Sequence, residues 1–165
     1  MKRRHLMLGG AAAFSLGACT QSKFKTYSGP EVTYVLINKG DRRMFLFNNE
    51  KVIKEYDIDL GFAPIGDKFF EGDGRTPEGR YVIDRRNPNS KFHLSIGISY
   101  PNAEDRAEAA ALGKSPGGDI FIHGNSKPFR KGTDDWTWGC IAITDREIED
   151  VYAMVRNGTP IQINP

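Results

Sequence analysis

Short runs of β-branched and aromatic residues, each cut off within a few positions by Gly, Pro or Asn, most narrow what this chain can become. Residues 32–37 (Val-Thr-Tyr-Val-Leu-Ile) run into Asn38-Lys39-Gly40-Asp41, and residues 43–47 (Arg-Met-Phe-Leu-Phe) run into Asn48-Asn49-Glu50. With residues 52–58 these read as an antiparallel meander. Further strands are expected at 80–84, 92–98, 119–123 and 159–164. Short strands punctuated by Gly and Pro turns argue for a sheet-dominated domain. Helical signals interrupt this pattern twice. Residues 103–112 are rich in Ala and Glu, with Gly113 placed to end the helix. Thr144 and Glu147 form a capping box, ahead of Ile148, Val151, Tyr152 and Val155 at i, i+3, i+4 and i+7, and Gly158 closes the segment. The expected fold class is mainly β with two short helices (α+β), in one domain.

The N-terminus belongs to a different kind of sequence. Lys2, Arg3 and Arg4 precede a short apolar stretch of residues 6–17, too short for the roughly 20 residues that span a bilayer. Leu16-Gly17-Ala18-Cys19 then places small residues before a cysteine and resembles a bacterial lipobox; the alternative is an ordinary signal peptide cut nearby. Arg3-Arg4-His5-Leu6 also resembles a twin-arginine export signal. Residues 1–18 are therefore expected to be a lipoprotein signal peptide. Residues 19–30 read as a tether lipidated at Cys19, and residues 31–165 as the domain, held by its lipid anchor on the periplasmic side of a membrane. Without the first 18 residues, 20 basic residues face 21 acidic ones, which gives no electrostatic case for a nucleic-acid partner. Of two cysteines, Cys19 is assigned to lipid, so Cys140 is left without an intramolecular partner.

An unpaired thiol in an exported protein directs attention to its neighbours. His123-Gly124 ends an apolar strand, and Thr137-Trp138-Gly139-Cys140 follows after a long polar loop, with Cys140 17 positions beyond His123. An imidazole that accepts the thiol proton or stabilises the thiolate makes cysteine a nucleophile. Gly139 allows consecutive backbone N–H groups to face a developing oxyanion. A zinc site of His93, His123 and Cys140 lacks the close ligand spacings of such sites. His93 is expected as a structural residue in an alternating strand. Trp136 and Trp138 are expected to pack, with groove lining beside Cys140 as the alternative for Trp138. Residues 127–132, between base and thiol, read as a solvated loop or a substrate-covering lid.

His-Gly, this loop and Thr-x-Gly-Cys-Ile together resemble the L,D-transpeptidase catalytic domain, the YkuD-like family. Arg75-Thr76-Pro77-Glu78-Gly79-Arg80-Tyr81-Val82-Ile83 and Gly158-Thr159-Pro160-Ile161-Gln162-Ile163 match two further family stretches in the right order. The resemblance implies an eight-stranded or similar β-sandwich or barrel-type domain with no metal or organic cofactor. It makes Cys140 the nucleophile and His123 the base. Gly124 supplies the carbonyl that orients the imidazole, and Trp138, Gly139 and Cys140 supply oxyanion N–H groups. Because the role of Gly124 is a backbone one, Gly124→Ala is expected to be far milder than loss of Cys140 or His123, provided the local dihedral tolerates a Cβ.

The implied reaction is transpeptidation of peptidoglycan tetrapeptide stems through a thioester, for wall cross-linking or remodelling. The first alternative is a hydrolase of wall peptides or of a peptidoglycan–lipoprotein link, with a wall-attached lipoprotein as partner. The second is a non-catalytic wall-binding lipoprotein. Trp138 and Ala142 stand where most members have His and Arg. Gly139-Cys140-Ile141-Ala142-Ile143-Thr144-Asp145 resembles the branch that includes the peptidoglycan–lipoprotein amidases.

Overall fold

The computed structural model describes residues 22–124 and 135–165. The strands are β1 (Tyr34–Asn38), β2 (Arg43–Asn48), β3 (Lys51–Asp57), β4 (Gly79–Asn87), β5 (Ser95–Ile98), β6 (Phe121–His123), β7 (Ile141–Ala142) and β8 (Pro160–Asn164). They form one eight-stranded sheet in the order β3-β2-β1-β8-β4-β5-β6-β7. The pairs β1–β8 and β6–β7 are parallel and the others antiparallel. The expected meander is thus one wing, and the terminal strand β8 joins it to the wing that carries β6 and β7.

Alternation along the strands puts one apolar set inside. Ile37, Leu46, Ile83, Ile96, Ile122, Ile141 and Ile163 are fully buried, one from every strand but β3, which contributes Tyr56. The helices are α1 (Ala103–Ala111) and α2 (Asp145–Met154). Helix α2 begins at the expected capping box of Thr144 and Glu147. It buries Ile148, Val151 and Met154 and packs on β5 and β6. Burying each of these side chains contributes about 1.5–3 kcal/mol. Helix α1 is capped by Asn102 and Asp105, and the buried Asp105 carboxylate also accepts the Tyr81 hydroxyl at 3.1 Å. Gly113, with φ 65°, stands just beyond α1, as anticipated.

Two elements differ from expectation. β5 starts at Ser95, because Ser95 pairs with Asn87 on one side and with His123 on the other, where both neighbouring strands end. Earlier residues have no ladder to join. His93 is therefore not a strand residue: it sits in a turn with φ 69°, and its Nε2 meets Glu149 of α2 at 2.8 Å. Likewise β6 begins at Phe121, because Asp119 has φ 55° and breaks the extended run.

The signal segment 1–18 and Cys19 lie outside the described residues, as does the loop 127–132. The described part of the expected tether, residues 22–30, runs along the domain. Lys23 Nζ donates to the carbonyls of Pro88 (2.7 Å) and His93 (3.1 Å), and Lys25 Nζ meets Asp150 at 2.7 Å on α2. Among the described residues no helix is long and apolar enough to cross a membrane.

Candidate active site

His123 is the last residue of β6, and the parallel register of β6 with β7 pairs Ile122 with Ile141 and His123 with Ala142. One step back along that register, Cys140 falls beside Phe121. Side chains two positions apart share a face, so Cys140 and His123 lie on the same side of the sheet. Both line a cavity of about 400 Å³, together with Phe92, Phe121 and Asp119.

His123 is held on several sides. It is 3% exposed, and its Nδ1 lies 2.6 Å from the Gly124 carbonyl. A carbonyl only accepts, so Nδ1 carries the hydrogen and Nε2 keeps the basic lone pair. Phe92 stacks on the imidazole with centroids 4.4 Å apart and planes 23° apart. Trp136 meets the ring edge-on at 5.7 Å and is tied through Nε1 to Asp59 Oδ2 at 3.2 Å. Burial holds the imidazole below its ordinary pKa, while the Gly124 carbonyl pulls the other way.

The Gly124 N–H donates to Phe92 O at 3.1 Å. A Cβ on Gly124 would lie 2.5 Å from Asp145 Oδ1 and 2.9 Å from Phe92 O. A Cβ there therefore requires Asp145 or Phe92 to shift, because the glycine is the space in which the histidine turn packs on α2.

Cys140 is a free, partly buried thiol whose Sγ donates to the Asp119 carbonyl at 3.5 Å. Burial pushes the thiol up, against a backbone hydrogen bond from Phe121; the Asp119 carboxylate raises it further, and Lys68 and Arg85 lower it. Burial thus favours the uncharged form of both partners.

The turn before Cys140 is braced by Thr137, whose Oγ1 donates to Cys140 O at 2.6 Å and accepts the Gly139 N–H at 3.1 Å. Gly139 has φ 118°, and a Cβ there would stand 2.5 Å from Arg75 O, so only glycine fits. Its N–H is engaged inside the turn, which departs from its expected role as an oxyanion donor. Trp138 is 72% exposed, with its ring edge-on to Phe62 at 5.0 Å. It borders a second cavity of about 780 Å³, lined also by Lys68, Glu71, Asp119 and Cys140. Trp138 is therefore a groove residue more than a packing one. Ala142, where the family pattern has Arg, is fully buried.

His93 stays apart on Glu149, and among the described residues no group of three or more His, Cys, Asp or Glu is placed to hold a metal ion. Phe92, Trp136 and Asp119 are site neighbours that motif spacing did not single out. They arrive from separate turns, and only the sheet register brings them together.

A family model described as the L,D-transpeptidase catalytic domain, YkuD, matches residues 32–163. An Escherichia coli (strain K12) protein provisionally named L,D-transpeptidase YafK is 29% identical over 128 residues, covering 74% of this chain and 46% of that protein. The chain thus spans about half the length of this relative. The helical cell shape determining protein Pgp2 from Campylobacter jejuni superposes with a TM-score of 0.60 at 29% identity, over 83% of this chain and 49% of that one. Bd1075 from Bdellovibrio bacteriovorus superposes with a TM-score of 0.59 at 26% identity, over 81% and 48% of the two chains. The chain belongs to the L,D-transpeptidase catalytic domain family.

Proposed function

We propose that this protein carries out acyl transfer on peptidoglycan tetrapeptide stems through a thioester on Cys140. One observation carries the reading: the Nδ1–H of His123 is committed to Gly124 O at 2.6 Å, which leaves a basic Nε2 in the cavity that Cys140 also lines. As Sγ attacks the carbonyl of the third stem residue, the thiol proton passes to His123 Nε2. The carbonyl electrons move to oxygen, where the N–H groups of Trp138 and Cys140 are the proposed donors. Collapse of that oxyanion breaks the amide, and the imidazolium returns its proton to the leaving amine of D-alanine. An amine of a second stem, or of a wall-attached protein, then attacks the thioester with His123 again as base. Water in the same role gives a hydrolase.

Mass spectrometry of tetrapeptide incubated with the wild-type and Cys140→Ala proteins tests this. A tetrapeptide adduct lacking D-alanine on the wild type alone, followed by cross-linked dimers, is the expected result. Trimmed monomers mean that water resolves the thioester. No adduct and no change in the peptides means a wall-binding protein and overturns the reading.

We also propose that the protein is exported and held at a membrane by lipid on Cys19, on the strength of Leu16-Gly17-Ala18-Cys19 following a short apolar stretch. Cys19→Ser should leave unprocessed precursor or release the domain from membranes. Wild-type protein that is fully soluble and carries no acyl group would overturn this.

A further inference from the structure

Among the described residues, Cys140 and Asp119 are the two that border both cavities, the one of about 780 Å³ beside Trp138 and the one of about 400 Å³ beside His123. Any peptide bond lying across the thiol therefore passes Asp119 as well. The two are in direct contact, since the Asp119 carbonyl receives the Cys140 thiol at 3.5 Å. The Asp119 carboxylate is 91% exposed, with one oxygen held by Arg85 Nη2 at 3.2 Å, and its charge acts on the Cys140 thiol.

Arg85 reaches this point by an unusual route. On β4 it pairs with Gly97 of β5, which pairs with Phe121 of β6, the neighbour of Cys140. The four positions form one row across the sheet. Gly97 leaves the row open: a Cβ there would lie 2.5 Å from Arg85 Cγ. The arginine crosses that gap, places its guanidinium 4.4 Å from the Phe121 ring centroid, and ends between Asp84 (2.9 Å) and Asp119. One guanidinium between two carboxylates leaves this ridge with excess negative charge, and the exposed Asp119 carboxylate has room for a second ionic partner.

We infer that Asp119 is a specificity residue that binds a substrate ammonium group beside the reacting thiol, with Arg85 as the positioning residue that holds its carboxylate there. The inference rests on the acyl-transfer reading of Cys140 and deepens it: the favoured substrate is a peptide bearing a free primary amine close to the reacting amide. A neutral or acylated amine at that place gains nothing from Asp119.

The test uses the full chain carrying Cys140→Ala, so that bound peptide is not consumed. Calorimetry gives Kd for two wall tetrapeptides that differ only in the side-chain amine of the third residue, free in one and acetylated in the other. The free amine should bind about tenfold more tightly, the scale of a hydrogen bond to a charged group. Asp119→Asn should bring the two within about twofold while preserving the backbone, because Asn tolerates positive φ. Asp119→Gly, which also accepts φ 55°, serves if the Asn variant fails to fold. Arg85→Gln should weaken the preference in the same direction. An amine preference that survives loss of Asp119, or none in the parent, overturns the inference. Turnover by protein with intact Cys140 separates the two readings. Turnover of both peptides with an amine preference unchanged by Asp119→Asn overturns the ammonium site alone. An Asp119-dependent binding preference without any turnover supports the site and overturns acyl transfer.

Discussion

At the scale of the residue, the chemistry turns on two groups whose charged forms burial disfavours. With the imidazole below its ordinary pKa and the thiol above its own, attack requires proton transfer to His123 during bond formation. kcat/KM should therefore fall on the acid side only below about pH 6.5, where an ordinary imidazole would already be half protonated. An acid limb centred above that value would contradict the burial argument. The same burial predicts that Cys140, in a protein lacking Cys19, reacts with iodoacetamide at pH 7 more slowly than free cysteine. Cys140→Ala and His123→Ala should each bring turnover close to background, and the double variant should be scarcely worse, because groups acting as a unit lose activity non-additively. Gly124→Ala belongs with the damaging changes, since its Cβ meets Asp145 Oδ1 at 2.5 Å and Phe92 O at 2.9 Å. Overpacking of this kind costs about 1–3 kcal/mol, readable in urea unfolding, and should lower activity by shifting the Phe92 ring that stacks on His123.

Single elements hold the site at one remove. Helix α2 supports β5 and β6 from behind, and its start depends on Thr144 accepting the Glu147 N–H while Glu147 accepts the Thr144 N–H. Thr144→Ala should cost about 1 kcal/mol and lower Tm by roughly 2–4 °C. Ile148→Ala, at a fully buried position, should cost about 2–5 kcal/mol. Scanning calorimetry of the two variants checks the order. A second device fixes the segment that leads into β4. Lys39, 2% exposed after β1, donates to Gly66 O (2.6 Å), Thr76 O (2.9 Å) and Glu78 Oε1 (2.7 Å). That segment supplies Arg75 O, the atom closest to where a Cβ of Gly139 would stand. Lys39→Ala leaves Glu78 and two carbonyls without their donor, at a cost of about 3–5 kcal/mol. If urea unfolding shows a loss below 1 kcal/mol, water is replacing the ammonium.

For the whole molecule, the buried imidazole couples function to stability. The folded state holds His123 below its unfolded pKa and so binds fewer protons than the unfolded chain as pH falls through about 6.5. Stability should be full above that value and decline below it, and His123→Gln should flatten this part of the profile. The segment before β1 adds a second dependence. Lys25 pairs with Glu149 and Asp150, and Phe24 lies 6.2 Å from the Tyr152 ring. Protein beginning at residue 31 should fold but melt a few degrees lower than protein beginning at residue 22, since partly exposed pairs are worth at most about 1 kcal/mol each.

Much of this architecture was legible in the chain itself. The strand runs, both helices, the Thr144 and Glu147 box and the His123 and Cys140 motifs are written in residues a few positions apart, where period, caps and turns act locally. The parallel β1–β8 pair and the β6–β7 register that puts His123 and Cys140 on one face depend on strands distant in sequence, so no local pattern encodes them. His93 read as a strand residue because its run alternates, yet the ladder on both sides stops at Ser95. Gly139 read as an oxyanion donor, yet Thr137 takes its N–H. Protonation escaped the sequence for the same reason. Burial lowers the pKa of His123, which Phe92 and Trp136 cover, and raises that of Cys140, and burial is a property of the assembled fold.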